Sequence, residues 1–206
     1  MEDLPDLGLF PLDLVLLPGE RVPLHLFEPR YRRLFADCTL EDRPFVLVLT
    51  EPSGGTARVG CTARFETLVR RFEDGRLNVI VRGVEPVEIL EETEGRLYFS
   101  ARVRPLPDET AAADPALAED VLARFRALAG LAGDQAPGLP EGVPLSYAVA
   151  GAFELATGPK QRLLESRDEG ERLGILRDLL SAADRDVRHA RMAAQRATTN
   201  GRVTTP

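Results

Sequence analysis

The side chains best suited to nucleophilic or soft-metal chemistry are Cys38, Cys61, His25, His189 and a single lysine, Lys160. A metal centre needs its ligands clustered, and no two of these stand at finger-like spacing. A cysteine nucleophile needs a base beside it. Cys61 instead falls among apolar alternates, Val59, Ala63 and Phe65, where a free cysteine is a packing residue. His25 sits in the apolar stretch Val22 to Phe27 and reads as a satisfied structural histidine. No G-x-S-x-G elbow occurs, and no serine–lysine context surrounds Lys160. The acidic residues are many, but their spacing singles out no catalytic pair. Phosphate chemistry lacks both the G-x-x-x-x-G-K-[ST] loop and the G-x-G-x-x-G fingerprint. Gly54-Gly55 is a turn. The expectation is a protein with no catalytic residue, no metal and no cofactor.

Charge narrows the partners. The net charge is −7. It is distributed as −4 over residues 1–107, −6 over 108–181 and +3 over 182–206. An acidic body argues against nucleic acid and membrane surfaces, both polyanions. The basic tail suits the C-terminal end of a helix. The N-terminus lacks an apolar h-region, and the longest apolar runs, such as Phe45 to Leu49, are far too short to span a bilayer. The sequence therefore predicts a cytoplasmic protein. Two cysteines make no disulfide framework.

The elements that must position any site change character near Pro105-Leu106-Pro107-Asp108. Before that point the period is two. Gly8–Leu12, Arg21–Phe27 and Phe45–Glu51 read as strands. They are followed by a meander of Val59–Glu66, Leu77–Arg82, Val87–Glu92 and Leu97–Val103, with turns at Gly75 and Gly95. In the last segment Leu97, Phe99, Ala101 and Val103 are expected to face the core. Pro29 opens one helix with Tyr31, Leu34 and Phe35 on its apolar face. After residue 107 the period is helical. One helix starts at Pro115, and a second carries Leu145, Val149, Ala152 and Ala156. A third is short and runs through Leu163 and Leu164. A long one begins near the capping box at Ser166–Glu169, with a heptad stripe from Leu173 to Ala194. The expected organisation is a β-rich unit over 1–107, a helical unit over 108–197 and a disordered tail over 198–206.

The most informative string is Leu9-Phe10-Pro11-Leu12, then Val15-Leu16-Leu17-Pro18-Gly19, then Pro23-Leu24-His25-Leu26-Phe27-Glu28-Pro29-Arg30-Tyr31. Further on come Val59-Gly60-Cys61-Thr62-Ala63, the hairpin Asp74 to Val84, and Lys160-Gln161-Arg162-Leu163-Leu164-Glu165 followed by Glu171-Arg172-Leu173. In this order, over roughly residues 7–181, the chain resembles the N-terminal, substrate-binding domain of ATP-dependent LON proteases. That resemblance implies an α+β fold, a PUA-like six-stranded pseudo-barrel followed by an α-helical bundle with a long C-terminal helix. It also implies a non-catalytic module, because the ATPase and serine–lysine peptidase units that follow this domain in full proteases would not fit in 206 residues.

The implied partners are unfolded or peptide segments of other proteins, and a protease system. The expected mode is burial of apolar client side chains, with the chain as adaptor or chaperone-like factor. Leu14, Leu16 and Leu17 would form an apolar lip beside the Pro18-Gly19 turn. Phe65 and Phe153 would line a groove between barrel and bundle. Phe27, Pro29 and Tyr31 are expected to pack the helix on the sheet, with Glu28 and Arg30 as an ion pair or cap. RNA binding, by analogy with PUA-like folds, is the alternative, with Arg70, Arg71, Arg102 and Arg104 as its local basic patch.

Overall fold

A computed structural model describes residues 5–52, 54–109, 113–132 and 137–200, with the side chains of residue 132 and residues 193–200 left aside. Six strands and a helix come first: β1 (Asp6–Leu12), β2 (Arg21–Leu26), α1 (Pro29–Leu40), β3 (Phe45–Leu49), β4 (Val59–Arg71), β5 (Leu77–Thr93) and β6 (Ser100–Pro105). Four helices follow: α2 (Pro115–Ala132), α3 (Leu145–Ala150), α4 (Thr157–Glu165) and α5 (Glu169–Asn200). The sheet order is β2-β5-β4-β3-β1-β6, and a further β5–β6 pairing closes it into a ring. β1 and β3 run parallel, and the connection that crosses from one to the other carries β2 and α1.

Two strands expected separately, Leu77–Arg82 and Val87–Glu92, are one 17-residue strand. Its first half pairs with β2 and its second half with β6, so it turns the corner of the barrel. A pleated strand tolerates such a bend where side chains are small, and Gly83 sits at the changeover. The alternation expected for Leu97 to Val103 also breaks. Ala101 and Val103 are buried, but Leu97 is 79% and Phe99 47% exposed, and Tyr98 is buried in their place. β6 begins only at Ser100, so the residues before it are free of the strand's phase.

One core runs through both halves of the chain. Phe10, Leu26, Phe45 and Val79 of the barrel pack in the same cluster as Phe125, Tyr147, Leu163, Leu173 and Leu176 of the helices. A smaller cluster, including Leu9, Val46, Val87 and Val103, fills the opposite face of the sheet. The helix expected to run from Leu145 through Ala156 ends at Ala150, and Ala156 is exposed just before α4. α5 starts two residues later than its capping-box reading, with Asp168 and not Ser166 at the cap. The Asp168 carboxylate accepts the Glu171 N–H at 2.8 Å. Glu169 is thereby released for a different contact, described below. α5 continues to Asn200, so residues 198–200 of the expected disordered tail are helical, and 201–206 lie outside the described residues.

Candidate functional site

Barrel and helices are joined by polar side chains of few but specific kinds. The Pro18-Gly19 turn lies on β5. Gly19 N–H donates to the Gly83 carbonyl and Gly83 N–H to the Glu20 carbonyl, each at 2.9 Å. Glu20 then does two things. One carboxylate oxygen accepts the Leu17 N–H at 2.9 Å, and the other meets the Lys160 ammonium at 2.6 Å. Both side chains of that pair are nearly buried, at 12% and 13% exposure. The single lysine of the chain therefore ties α4 to the turn after β1. Gln161, beside it, donates to the Val59 carbonyl at 3.0 Å. Between the turn and α3 lies a cleft of about 620 Å³, with Glu20, Arg21, Arg82 and Tyr147 among its walls. Among the described residues, none of the exposed large hydrophobic side chains lines it.

The helical half is organised by Arg172, whose side chain has no exposed surface. Its guanidinium forks onto Asp108 at 2.7 and 2.5 Å. It also reaches Glu169 at 2.7 Å, the Ser146 hydroxyl at 2.9 Å and the Ser166 carbonyl at 2.8 Å. Its carbon centre stacks 4.4 Å from the Tyr147 ring. Burial works against this charge, but the carboxylates and the ring around it outweigh burial and raise the guanidinium pKa above its usual value. Burial likewise pushes the Tyr147 phenol up.

The other exposed feature is the end of the barrel that α1 covers. The hairpin from Phe72 to Arg76 closes on one side of this helix, where Gly75 at φ +84° leaves room for the Arg32 guanidinium. The segment before β6 closes on the other side, where the Tyr98 hydroxyl donates to Asp37 at 3.2 Å. Large apolar side chains are exposed here: Phe27 (60%) just before α1, Leu40 (86%) as its last residue, and Leu97 and Phe99 on the segment before β6. Arg30 lies 4.9 Å over the Phe99 ring, and Leu97 forms a wall of a shallow cleft with Pro29, Arg30 and Arg33. A second cleft, of about 750 Å³, lies between α1 and the hairpin.

The profile of the ATP-dependent protease La (LON) substrate-binding domain matches residues 6–182. The chain belongs to the LON substrate-binding domain family. Two solved structures share the fold. The Lon N-terminal domain protein of Xanthomonas campestris has 27% identity and a TM-score of 0.66, over 84% of this chain and 97% of that one. The N-terminal domain of the Mycobacterium avium complex Lon protease has 20% identity and a TM-score of 0.64, over 86% and 98%. The second likeness speaks for the fold alone.

Within this LON substrate-binding domain the expected contact residues scatter. Leu16 and Leu17 have no exposed surface, so they are core and not a lip, and Leu14 is half-buried against the same core. The physical reason is that the Val15–Pro18 segment is laid onto β5, not raised above it. Phe65 stacks 4.5 Å from Phe45 and meets Phe35 edge-on, beneath α1. Phe153 meets Phe125 of α2. The two do not share a groove. Tyr31 is buried against Phe10 as expected, and Glu28 pairs with Arg30 at 2.7 Å without capping α1. Phe27 does not pack α1 down, because the pleat turns it out beside His25. His25 is itself exposed, and its Nδ1 is 2.6 Å from Asn78 Oδ1. Of the arginines named for RNA, Arg102 pairs with Glu91 and Arg104 with Glu88. The motif containing Arg172 did not show its role, and no pattern pointed to Tyr147, because partners far apart in sequence give each its role. No helix among the described residues is long and apolar enough to cross a membrane.

Burial pushes the Cys61 thiol up to about 12 and the Cys38 thiol up to about 11. At pH 8 about one in a thousand or fewer of either would be thiolate, the reactive form. Both thiols are therefore expected to stay silent toward a thiol-specific chromogenic reagent in the native domain. Both should react once about 6 M guanidinium chloride has unfolded it. Fast native reaction of one equivalent would show that a thiol is not packed as described.

Proposed function

We propose that the domain recognises exposed apolar stretches of other polypeptides on the barrel end around α1, acting as an adaptor or chaperone-like factor alongside a protease system. The observation that supports this reading is that Phe27, Leu97 and Phe99 are exposed at the start of α1 and on the segment beside it, with Leu40 exposed at the helix's far end. A soluble domain leaves such side chains together at a cost unless they are covered in use. Arg30 and Arg33 between them give the patch a polar rim. The family's description as a substrate-binding domain points the same way. The reading locates the contact away from Leu14, Phe65 and Phe153.

The test is binding to a reduced, alkylated and therefore permanently unfolded protein, followed by anisotropy. Leu97→Glu and Phe27→Glu alter exposed positions and should leave the unfolding curve in place. Each is expected to weaken binding about tenfold, or about 1.4 kcal/mol, since a charge replaces apolar contact. Unchanged binding in both variants would overturn this location. Absence of binding by the unaltered domain would overturn the function.

A further inference from the structure

We infer that the cleft between α1 and the β4–β5 hairpin takes a carboxylate from the bound polypeptide, so that the favoured segment is an apolar stretch bearing an acidic group. This rests on the recognition reading above and specifies its substrate class. The lining of the cleft holds three guanidiniums, Arg32, Arg33 and Arg71, and no carboxylate, in a chain whose net charge is −7. Arg33 is engaged by Asp37 at 2.9 Å. Neither of the other two makes an ion pair among the described residues, although Arg32 adds to the field that, after the hydrogen bonds from Arg76, lowers the Asp74 carboxyl pKa. Arg32 donates only to the backbone carbonyl of Asp74, at 3.2 Å, and its buried Nε has no partner among the described residues. The exposed side chain of Arg71 has neither an ion pair nor a hydrogen bond among the described residues. The hairpin carboxylate of Asp74 is turned to Arg76, at 2.6 Å from its Nε and 3.1 Å from its backbone N–H.

Arginine forks match the two oxygens of a carboxylate. Phe35, Leu40 and Leu77 line the same cleft, so an acidic group arriving there brings its neighbours onto apolar surface. Two alternatives fit less well. Stacked nucleic-acid bases need an open aromatic face, but Phe35 is engaged edge-on by Phe65, and Arg70 and Arg76 lie over the Phe72 ring. Strand addition needs an uninterrupted edge, and β4 carries register shifts at 65–67 and 68–70. Side-chain charge, not backbone pairing, would then fix the segment's position.

The experiment compares labelled peptides that share one apolar run, using the whole chain. One carries Asp and Glu beside the run, one carries Asn and Gln with an amidated C-terminus, and one is neutral with a free C-terminal carboxylate. At about 50 mM salt the first or the third should bind about fivefold tighter than the neutral amide. Which of the two does so tells a side-chain carboxylate from a chain end. The advantage should fall below about twofold at about 500 mM salt and in Arg71→Gln, which should leave the neutral peptide's affinity unchanged. Equal binding of all three peptides would overturn this inference and leave the recognition reading standing. Binding of none would remove the recognition reading itself. Tighter, Arg71-dependent binding of a uridine oligonucleotide would overturn the inference in favour of RNA.

Discussion

Replacing Arg172 by methionine is expected to lower the unfolding free energy by about 3–5 kcal/mol, the range for removing one partner of a buried ion pair. The size follows from what is left behind. Asp108 lies on the segment leading out of β6, Ser146 and Tyr147 lie on α3, and Glu169 opens α5. The Glu169 carboxylate also accepts the Ser146 N–H at 2.9 Å and its hydroxyl at 2.5 Å. Without the guanidinium, this largely buried carboxylate faces Asp108 with no cation between them. Methionine fills the volume, so the loss is electrostatic and not a cavity. Arg172→Lys keeps the charge but cannot fork onto Asp108 while holding Glu169, and should recover less than half. Urea unfolding of the three proteins measures this. A shift under about 1 kcal/mol for Arg172→Met would mean the network is incidental to stability.

The second large effect is expected at Gly83. A Cβ there would be driven into the Leu17 carbonyl oxygen and would lie 2.9 Å from the carbonyl carbon. The obstacle is backbone, which is itself pinned by the paired hydrogen bonds between the turn and β5. Neither side can yield as a flexible side chain would. Gly83→Ala should therefore cost about 3 kcal/mol, the upper end for overpacking, and should loosen the Glu20–Lys160 tie along with it. Gly174 is the natural control. It lies inside α5 with nothing within 4 Å of an added Cβ, so Gly174→Ala should raise stability by about 0.5–1 kcal/mol through helix propensity. Opposite signs for the same chemical change, read from one denaturant series, are the expected result. Equal small effects would show that the turn does not press on β5.

Both residues lie inside motifs that the sequence displays openly, Gly83 at the end of the hairpin string and Arg172 in Glu171-Arg172-Leu173. Their spacing identified the family and the order of strands before helices. The turns at Gly19, Gly75 and Gly95, all three of which take positive φ, were also legible, because tight turns are set by local sterics. The Pro29 helix start and the alternation of Val59 to Phe65 belong to the same class of local signal.

Local pattern did not extend to faces and partners. Alternation says which residues share a side and is silent on what covers that side. Leu16 and Leu17 were therefore legible as apolar but not as core, and Phe27 as apolar but not as surface. The same limit hid the single strand through Gly83 and the break of phase at Leu97. It also hid Lys160, whose partner Glu20 is 140 residues away. By itself the sequence determined the family, the elements and the turns, because these rest on interactions between near neighbours in the chain. Only the tertiary structure decided which apolar residues were spent on the core and which were left around α1, because burial depends on contacts between segments far apart in sequence.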